Sequence, residues 1–225
     1  MADALDLAPL IDHTVLRPDA TPDQIERACT EAREYGFAGV CVRLEHVALV
    51  ARLLSGTRSR PICVVGFPSG TVGTESKVTE ARQAIAAGAQ EIDMVIDLDA
   101  LKRRDYASVL RDLQAVVAVG RPHPVKAILE TGALTREQMV IAAALAKAAD
   151  AAFVKTSTGF GPGGATIENV ALLREIVGDD MGVKASGGIR TADDARRMVA
   201  AGANRLGTSA GVAIVTGTTA DVRRY

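Results

Sequence analysis

The stretch Pro124-Val125-Lys126-Ala127-Ile128-Leu129, followed by Thr135–Ala148 and then by Ala151-Ala152-Phe153-Val154-Lys155, holds one structural unit and the opening of the next. A short apolar run rich in Val and Ile reads as a buried strand, and the longer segment after the turn has helical spacing with Thr135 at its head as a cap. The apolar run before Lys155 returns to strand length. This rhythm continues in both directions along the chain. Further strands are predicted at Ala38–Val42, Pro61–Val65, Glu91–Ile96, Met181–Ala185 and Asn204–Gly207, with a weaker one at Leu10–Thr14, which makes eight. Helices are predicted over Pro22–Tyr35 with Thr21 as N-cap, Thr74–Ala87 ending at Gly88, Asp105–Val119 ending at Gly120, Thr166–Val177 ending at Gly178 and Thr191–Ala201 ending at Gly202. Alternating βα units without a linker or charge run predict a (β/α)8 TIM barrel, residues 1–225 forming one domain with an N-terminal extension. A doubly wound open sheet is the alternative.

Composition narrows the function classes. The 225 residues are 48% hydrophobic, enough for a sizeable core in one domain. Lysine and arginine total 26 against 27 acids, a net charge of −1, so there is no basic field to attract nucleic acid or anionic lipid. Aromatic residues are 3% and tryptophan is absent, which removes the stacking platforms of single-strand binders. Cys29, Cys41 and Cys63 lack the spacing of a zinc or redox motif, and Asp3, Asp6 and Asp12 break up the start of the chain where an export signal needs an apolar core. The longest apolar stretch, around Met139 to Val154, is interrupted by Lys147 and Asp150, short of the roughly 18 residues a membrane helix needs. A reduced, cytoplasmic setting is expected, with neither nucleic acid nor membrane as partner.

A barrel gathers its chemistry where strands end, and three charged residues stand there or inside apolar strands. Lys155 closes Ala151-Ala152-Phe153-Val154; Lys184 lies in Gly182-Val183-Lys184-Ala185-Ser186-Gly187-Gly188; Asp93 lies in Glu91-Ile92-Asp93-Met94-Val95-Ile96. Strand alternation puts Asp93 and Val95 on one face, opposite Ile92 and Met94. Strand-end lysines reaching water, with Asp93 in a structural ion pair, would explain these residues without catalysis. Carbonyl chemistry explains more. An ordinary lysine is only about 0.04% neutral at pH 7, so an imine-forming amine needs its ammonium form destabilised, which a second lysine and burial both do. A carboxylate opposes that shift, so Asp93 is expected to serve proton transfer more than direct pairing with the nucleophile.

Two glycine-rich turns follow the last two strands, Ser186-Gly187-Gly188-Ile189-Arg190 and Gly207-Thr208-Ser209-Ala210-Gly211. Barrels often seat a phosphate there, because glycines let backbone N–H groups approach an anion closely. The loop Gly159-Phe160-Gly161-Pro162-Gly163-Gly164 matches a dinucleotide fingerprint formally, but its first glycine stands four residues past the strand end, so it is expected to be an active-site rim. His13, His46 and His123 are scattered and no metal site is expected.

The segments Leu10-Ile11-Asp12-His13-Thr14, Val65-Gly66-Phe67-Pro68, Glu91–Ile96, Lys155-Thr156-Ser157-Thr158-Gly159-Phe160 and Val183–Arg190, in this order, resemble the deoxyribose-phosphate aldolase family in its shorter bacterial branch. The resemblance implies reversible cleavage of 2-deoxy-D-ribose 5-phosphate to D-glyceraldehyde 3-phosphate and acetaldehyde by a class I, Schiff-base mechanism that needs no cofactor. It implies Lys155 as the imine lysine, Lys184 as the second lysine, Asp93 as the acid working with it through water, Asp12 on a substrate hydroxyl, and Gly187, Gly188, Gly207 and Ser209 on the phosphate. The chain departs from the family pattern at Asp97, at Arg43-Leu44 and at Phe160, where one branch has a phosphate-side lysine, so the anion is expected to lean on backbone groups. Tyr225 is expected to be a passive terminus, and the oligomeric state stays open, a homodimer included. Another imine-forming or isomerase-type barrel enzyme acting on a sugar phosphate, and a phosphosugar-binding barrel without catalysis, are the competing readings.

Overall fold

The computed structural model describes residues 6–218. The expectation for Tyr225 and the first residues of the expected N-terminal extension lie outside this range; the residues before the first strand that lie within it include a 3-10 turn, Ala8–Leu10.

Eight parallel strands, β1 (Ile11–Thr14), β2 (Gly39–Val42), β3 (Arg60–Val65), β4 (Glu91–Val95), β5 (Val125–Ile128), β6 (Phe153–Lys155), β7 (Gly182–Ser186) and β8 (Arg205–Thr208), form a closed barrel in sequence order, β8 pairing back onto β1. The open-sheet alternative is thereby excluded. Outside the strands lie α1 (Pro22–Tyr35), α2 (Val47–Leu53), α3 (Thr74–Ala86), α4 (Leu98–Lys102), α5 (Tyr106–Gly120), α6 (Arg136–Ala148), α7 (Ile167–Val177), α8 (Ala192–Ala200) and α9 (Gly211–Thr216). Six of these nine lie where helical spacing predicts them. The other three, α2, α4 and α9, are at most seven residues long, too short for helical spacing to emerge over a window of about 11 residues.

Local chemistry accounts for the ends. At α1, Thr21 accepts from the backbone N–H of Gln24 while the Gln24 side chain accepts from that of Thr21, and Gly36 ends the helix in the left-handed region at φ 72°. Such a cap stabilises by about 1 kcal/mol. Thr135 and Thr191 cap α6 and α8 with the same reciprocal pair, and Thr166 caps α7 by accepting from the backbone N–H of Asn169. Helix α1 turns Ile25, Ala28, Cys29 and Ala32 onto the barrel, and the main core lies between the helices and the outward strand residues such as Ile92, Met94 and Val154.

Inside the barrel the two sides differ. Strands β2 and β3 contribute Cys41, Ile62 and Val64, an apolar cluster completed by Leu16 and Phe67. Strands β4 to β8, with β1, contribute buried charges. The parallel register fixes which of them meet: Asp93 lies beside Lys126, Lys155 beside Lys184, and Lys184 beside Arg205. Buried ions are tolerated only where paired and hydrogen-bonded, so the charged half of the barrel must be a network.

Candidate active site

Lys155 ends β6, and its Nζ donates to Asp93 Oδ2 at 2.9 Å. The same oxygen accepts from Lys184 Nζ at 2.8 Å, so the two side-chain nitrogens stand within two hydrogen-bond lengths of each other. Alternation along β4 correctly turns Asp93 inward. Asp93 is expected to serve proton transfer more than direct pairing with Lys155; in the structure the two are bonded, and the carboxylate is shared among three lysines. Its other oxygen accepts from Lys126 Nζ at 2.7 Å.

Asp12, the second residue of β1, accepts from Lys184 at 2.5 Å and from Arg205 at 2.8 Å. Glu91 takes Lys126 at 2.5 Å, Arg205 at 3.2 Å and the half-exposed Arg60 at 3.1 Å. Asp12, Glu91, Asp93, Lys126 and Lys184 are fully buried. Burial alone would raise the Asp93 carboxyl, but Lys126, Lys155 and Lys184 outweigh it and hold it well below the ordinary 3.8. Asp12 is lowered likewise, with burial opposed by Lys184, Arg205 and Lys126. For Lys184, burial works against the charge, yet Asp12 and Asp93 raise its pKa well above the ordinary lysine value, so it stays an ammonium.

A pH dependence of stability follows. Depressed carboxylates contribute stability that is present above 3.8 and lost as pH falls through their folded values; the raised Lys184 contributes below 10.5 and loses that contribution only as pH rises through its still higher folded value. The melting temperature is expected to be flat from about pH 5 to about pH 9 and to fall steeply below about pH 4. A calorimetric series showing a maximum at pH 3 would contradict the pairing.

Above the charges opens a cavity of about 360 Å3, lined by Lys155, Gly187, Gly188, Gly207, Ser209 and Phe160 among others. Lys155 is 2% exposed and reaches it, whereas Lys184, Asp93 and Asp12 lie beneath and do not line it. Asp12 is thus spent on two cations, and contact with a substrate hydroxyl would require its release from one of them. Hydroxyls tie the strand ends together: Thr156 donates to the Ser186 carbonyl, Ser186 donates to the Ser157 carbonyl, and Thr208 donates to the Ile189 carbonyl. Gly187 has φ 89°, and its carbonyl accepts from Ala165, so the two loops meet. The loop carrying Phe160 lies on the rim, with Phe160 49% exposed and edge-on to Phe67 at 5.3 Å.

Several residues here escaped the reading of the sequence. Lys126 and Arg205 stand mid-strand and at a strand start, and the test that picked out Lys155 and Lys184 would have caught Lys126. Glu91 shares a strand face with Asp93. Arg17 and Arg190 line the cavity, so cationic side chains accompany the backbone groups there. His13 is buried against Phe37 and bonds Glu31, away from the cavity. Among the described residues there is no group of three His, Cys, Asp or Glu placed to hold a metal ion, and no helix long and apolar enough to cross a membrane.

Comparison with known proteins agrees with this geometry. Residues 7–217 match the model of the DeoC/LacD family aldolases. Deoxyribose-phosphate aldolase of Clostridium novyi is 50% identical over 222 residues, 98% of this chain and 100% of that protein. Deoxyribose-phosphate aldolase 1 of Bacillus licheniformis is 52% identical over 216 residues, 96% of this chain and 97% of that one. Among solved structures, the deoxyribose phosphate aldolase of Aeropyrum pernix, described as tetrameric, superposes with a TM-score of 0.87 at 33% identity, covering 94% of this chain and 90% of that one. With the family model spanning nearly the whole barrel and relatives at half identity from end to end, the chain belongs to the DeoC/LacD family of aldolases.

Proposed function

We propose that this protein is a class I aldolase that reversibly cleaves 2-deoxy-D-ribose 5-phosphate to D-glyceraldehyde 3-phosphate and acetaldehyde, acting as one barrel domain in the cytoplasm in deoxyribonucleotide catabolism. The observation that carries this reading is the placement of the Lys155 amine at the cavity floor, one hydrogen bond from a carboxylate shared with Lys184. Membership of an aldolase family and the names of the relatives supply the substrate.

Lys155 attacks the C1 aldehyde of the open-chain sugar, and loss of water gives a protonated imine. Lys184, held as an ammonium, donates the proton that the departing hydroxyl needs. Asp93, through a water, accepts the proton of the C3 hydroxyl as the C2–C3 bond breaks. The bonding pair flows into the imine to give an enamine at C1–C2, which explains why no cofactor is required. Protonation at C2 and hydrolysis release acetaldehyde and free Lys155. The phosphate sits against Gly187, Gly188, Gly207 and Ser209, whose backbone can approach an anion closely, with Arg17 and Arg190 adding positive charge.

Borohydride reduction in the presence of acetaldehyde or deoxyribose 5-phosphate, followed by peptide mass mapping, tests the reading. One adduct on Lys155 is expected. A folded protein without adduct would return the phosphosugar-binding barrel to the front, and an adduct with turnover confined to other sugar phosphates would favour a different imine-forming enzyme. Sedimentation would tell a homodimer from the tetrameric arrangement named for the Aeropyrum pernix relative.

Gly207 offers a second check. A Cβ there would stand 2.8 Å from Ser186 Cβ and 3.0 Å from Lys184 Cε, so alanine must shift Ser186 and press the lysine stem by a few tenths of an ångström. Gly207→Ala is expected to lower kcat/KM by about tenfold, short of the roughly 10²-fold that a displacement of about 1 Å costs. Unchanged steady-state kinetics would show that the phosphate turn and Lys184 are not in contact during catalysis.

A further inference from the structure

We propose that Glu91, Lys126 and Arg205 are positioning residues that complete a charge-neutral ring inside the barrel, and that this ring makes the free amine the favoured form of Lys155. The proposal rests on Lys155 being the imine-forming lysine. Six buried or nearly buried side chains alternate in sign around a closed circuit. Asp12 bonds Lys184, Lys184 bonds Asp93, Asp93 bonds Lys126, Lys126 bonds Glu91, Glu91 bonds Arg205, and Arg205 returns to Asp12. Each carboxylate holds two of these cations and each cation holds two carboxylates. Five strands contribute, and β6 contributes Lys155 as a pendant on Asp93 alone.

Three negative and three positive charges already cancel. A protonated Lys155 is therefore a seventh, unmatched charge in a region where unmatched charge is costly. A neutral Lys155 leaves the interior balanced. Arg17 and Arg190 share the cavity with Lys155, but both are exposed to water, which screens them, and Arg17 is paired with Asp19. The other groups facing this region do not alter the count. On β2, the Cys41 thiol is pushed up to about 11 by burial first and by Asp93 next, and stays neutral. On β3, Ile62 and Val64 carry no charge, and Arg60, half-exposed to water, lies at the far end on Glu91. Beyond β5, Glu130 accepts from Thr158 in the β6 loop and takes no part in the ring.

Ring charge, as opposed to ring shape, predicts shifts of opposite sign. Glu91→Gln leaves the ring at +1, so the acid limb of kcat/KM moves to lower pH. Lys126→Gln leaves it at −1 and moves the limb to higher pH. The double substitution restores neutrality and returns the limb to its original position. Each single shift is expected to be about one pH unit, the order for one charge several ångströms away at an effective dielectric constant of about 20. A merely structural role would lower kcat in all three without moving the limb in opposite directions, and that result would overturn the proposal. Should Lys126→Gln fail to fold, Arg205→Gln, at the partly exposed edge of the ring, tests the same upward shift. Borohydride labelling of each variant at alkaline pH separates the two layers. Label on Lys155 with unmoved limbs defeats the ring alone, whereas label absent from Lys155 in the unsubstituted enzyme defeats the nucleophile assignment.

Discussion

Lys155→Leu is expected to lower deoxyribose 5-phosphate cleavage by about 10⁴-fold or more while leaving the fold intact. Removing a covalent nucleophile takes away the imine and with it the electron sink, and losses of this order or larger are usual when a nucleophile is deleted. The stability half of the expectation comes from the geometry. Lys155 is a pendant on Asp93, and when it is removed Oδ2 still accepts from Lys184 and Oδ1 from Lys126. No carboxylate is left unpaired, so the usual heavy penalty for breaking a buried pair does not arise. Circular dichroism should show the same melting temperature within a few degrees, and a coupled assay for glyceraldehyde 3-phosphate should show background. Residual turnover above about 1% of the unsubstituted rate would sink the nucleophile assignment.

The pendant position explains why Lys155 was legible in the sequence and three of its neighbours were not. A lysine that ends an apolar strand and leads into Thr156-Ser157-Thr158-Gly159 declares itself, because barrel chemistry collects at strand ends. Asp93 declared itself by alternation within β4. Lys126 carries the same kind of signal, but its importance depends on lying beside Asp93 across β4 and β5, and register between strands is not written in the period of either one. Arg205 is harder still, since it sits at the start of β8 and meets Asp12 from the opposite end of the chain. The direct bond between Asp93 and Lys155 was given too little weight for the same reason. Considered as a pair, the carboxylate opposes a neutral amine; considered within a network of three lysines, its charge is already spent. The fold was more transparent. Val- and Ile-rich runs of four to six residues and Thr-capped helices repeat often enough to imply eight units, and only α2, α4 and α9 were too short to show a period.

Lys184→Leu should behave differently from Lys155→Leu in every readout, because Lys184 is inside the network. Its removal leaves Asp12 with Arg205 alone and takes from Asp93 the cation that it shares with Asp12. Opening a buried pair of this kind costs about 3–5 kcal/mol, which for a chain of this size lowers the melting temperature by roughly 6–20 °C. Three negative charges then face two positive ones, so Lys155 holds its proton more firmly and the acid limb of kcat/KM moves upward. The raised pKa of Lys184 gives it a second duty. It stays an ammonium at working pH, under the pull of Asp12 and Asp93 against burial, so it can donate a proton to the departing hydroxyl but cannot serve as a base. At the pH where Lys155 is again neutral, kcat is therefore still expected to be lower by about 10²-fold or more, the usual contribution of a positioned general acid. Recovery of full kcat at high pH would remove the donor role and leave only the electrostatic one. An unshifted profile with the same loss of kcat would remove the electrostatic role and leave proton donation as the one reason for a second lysine beneath the first.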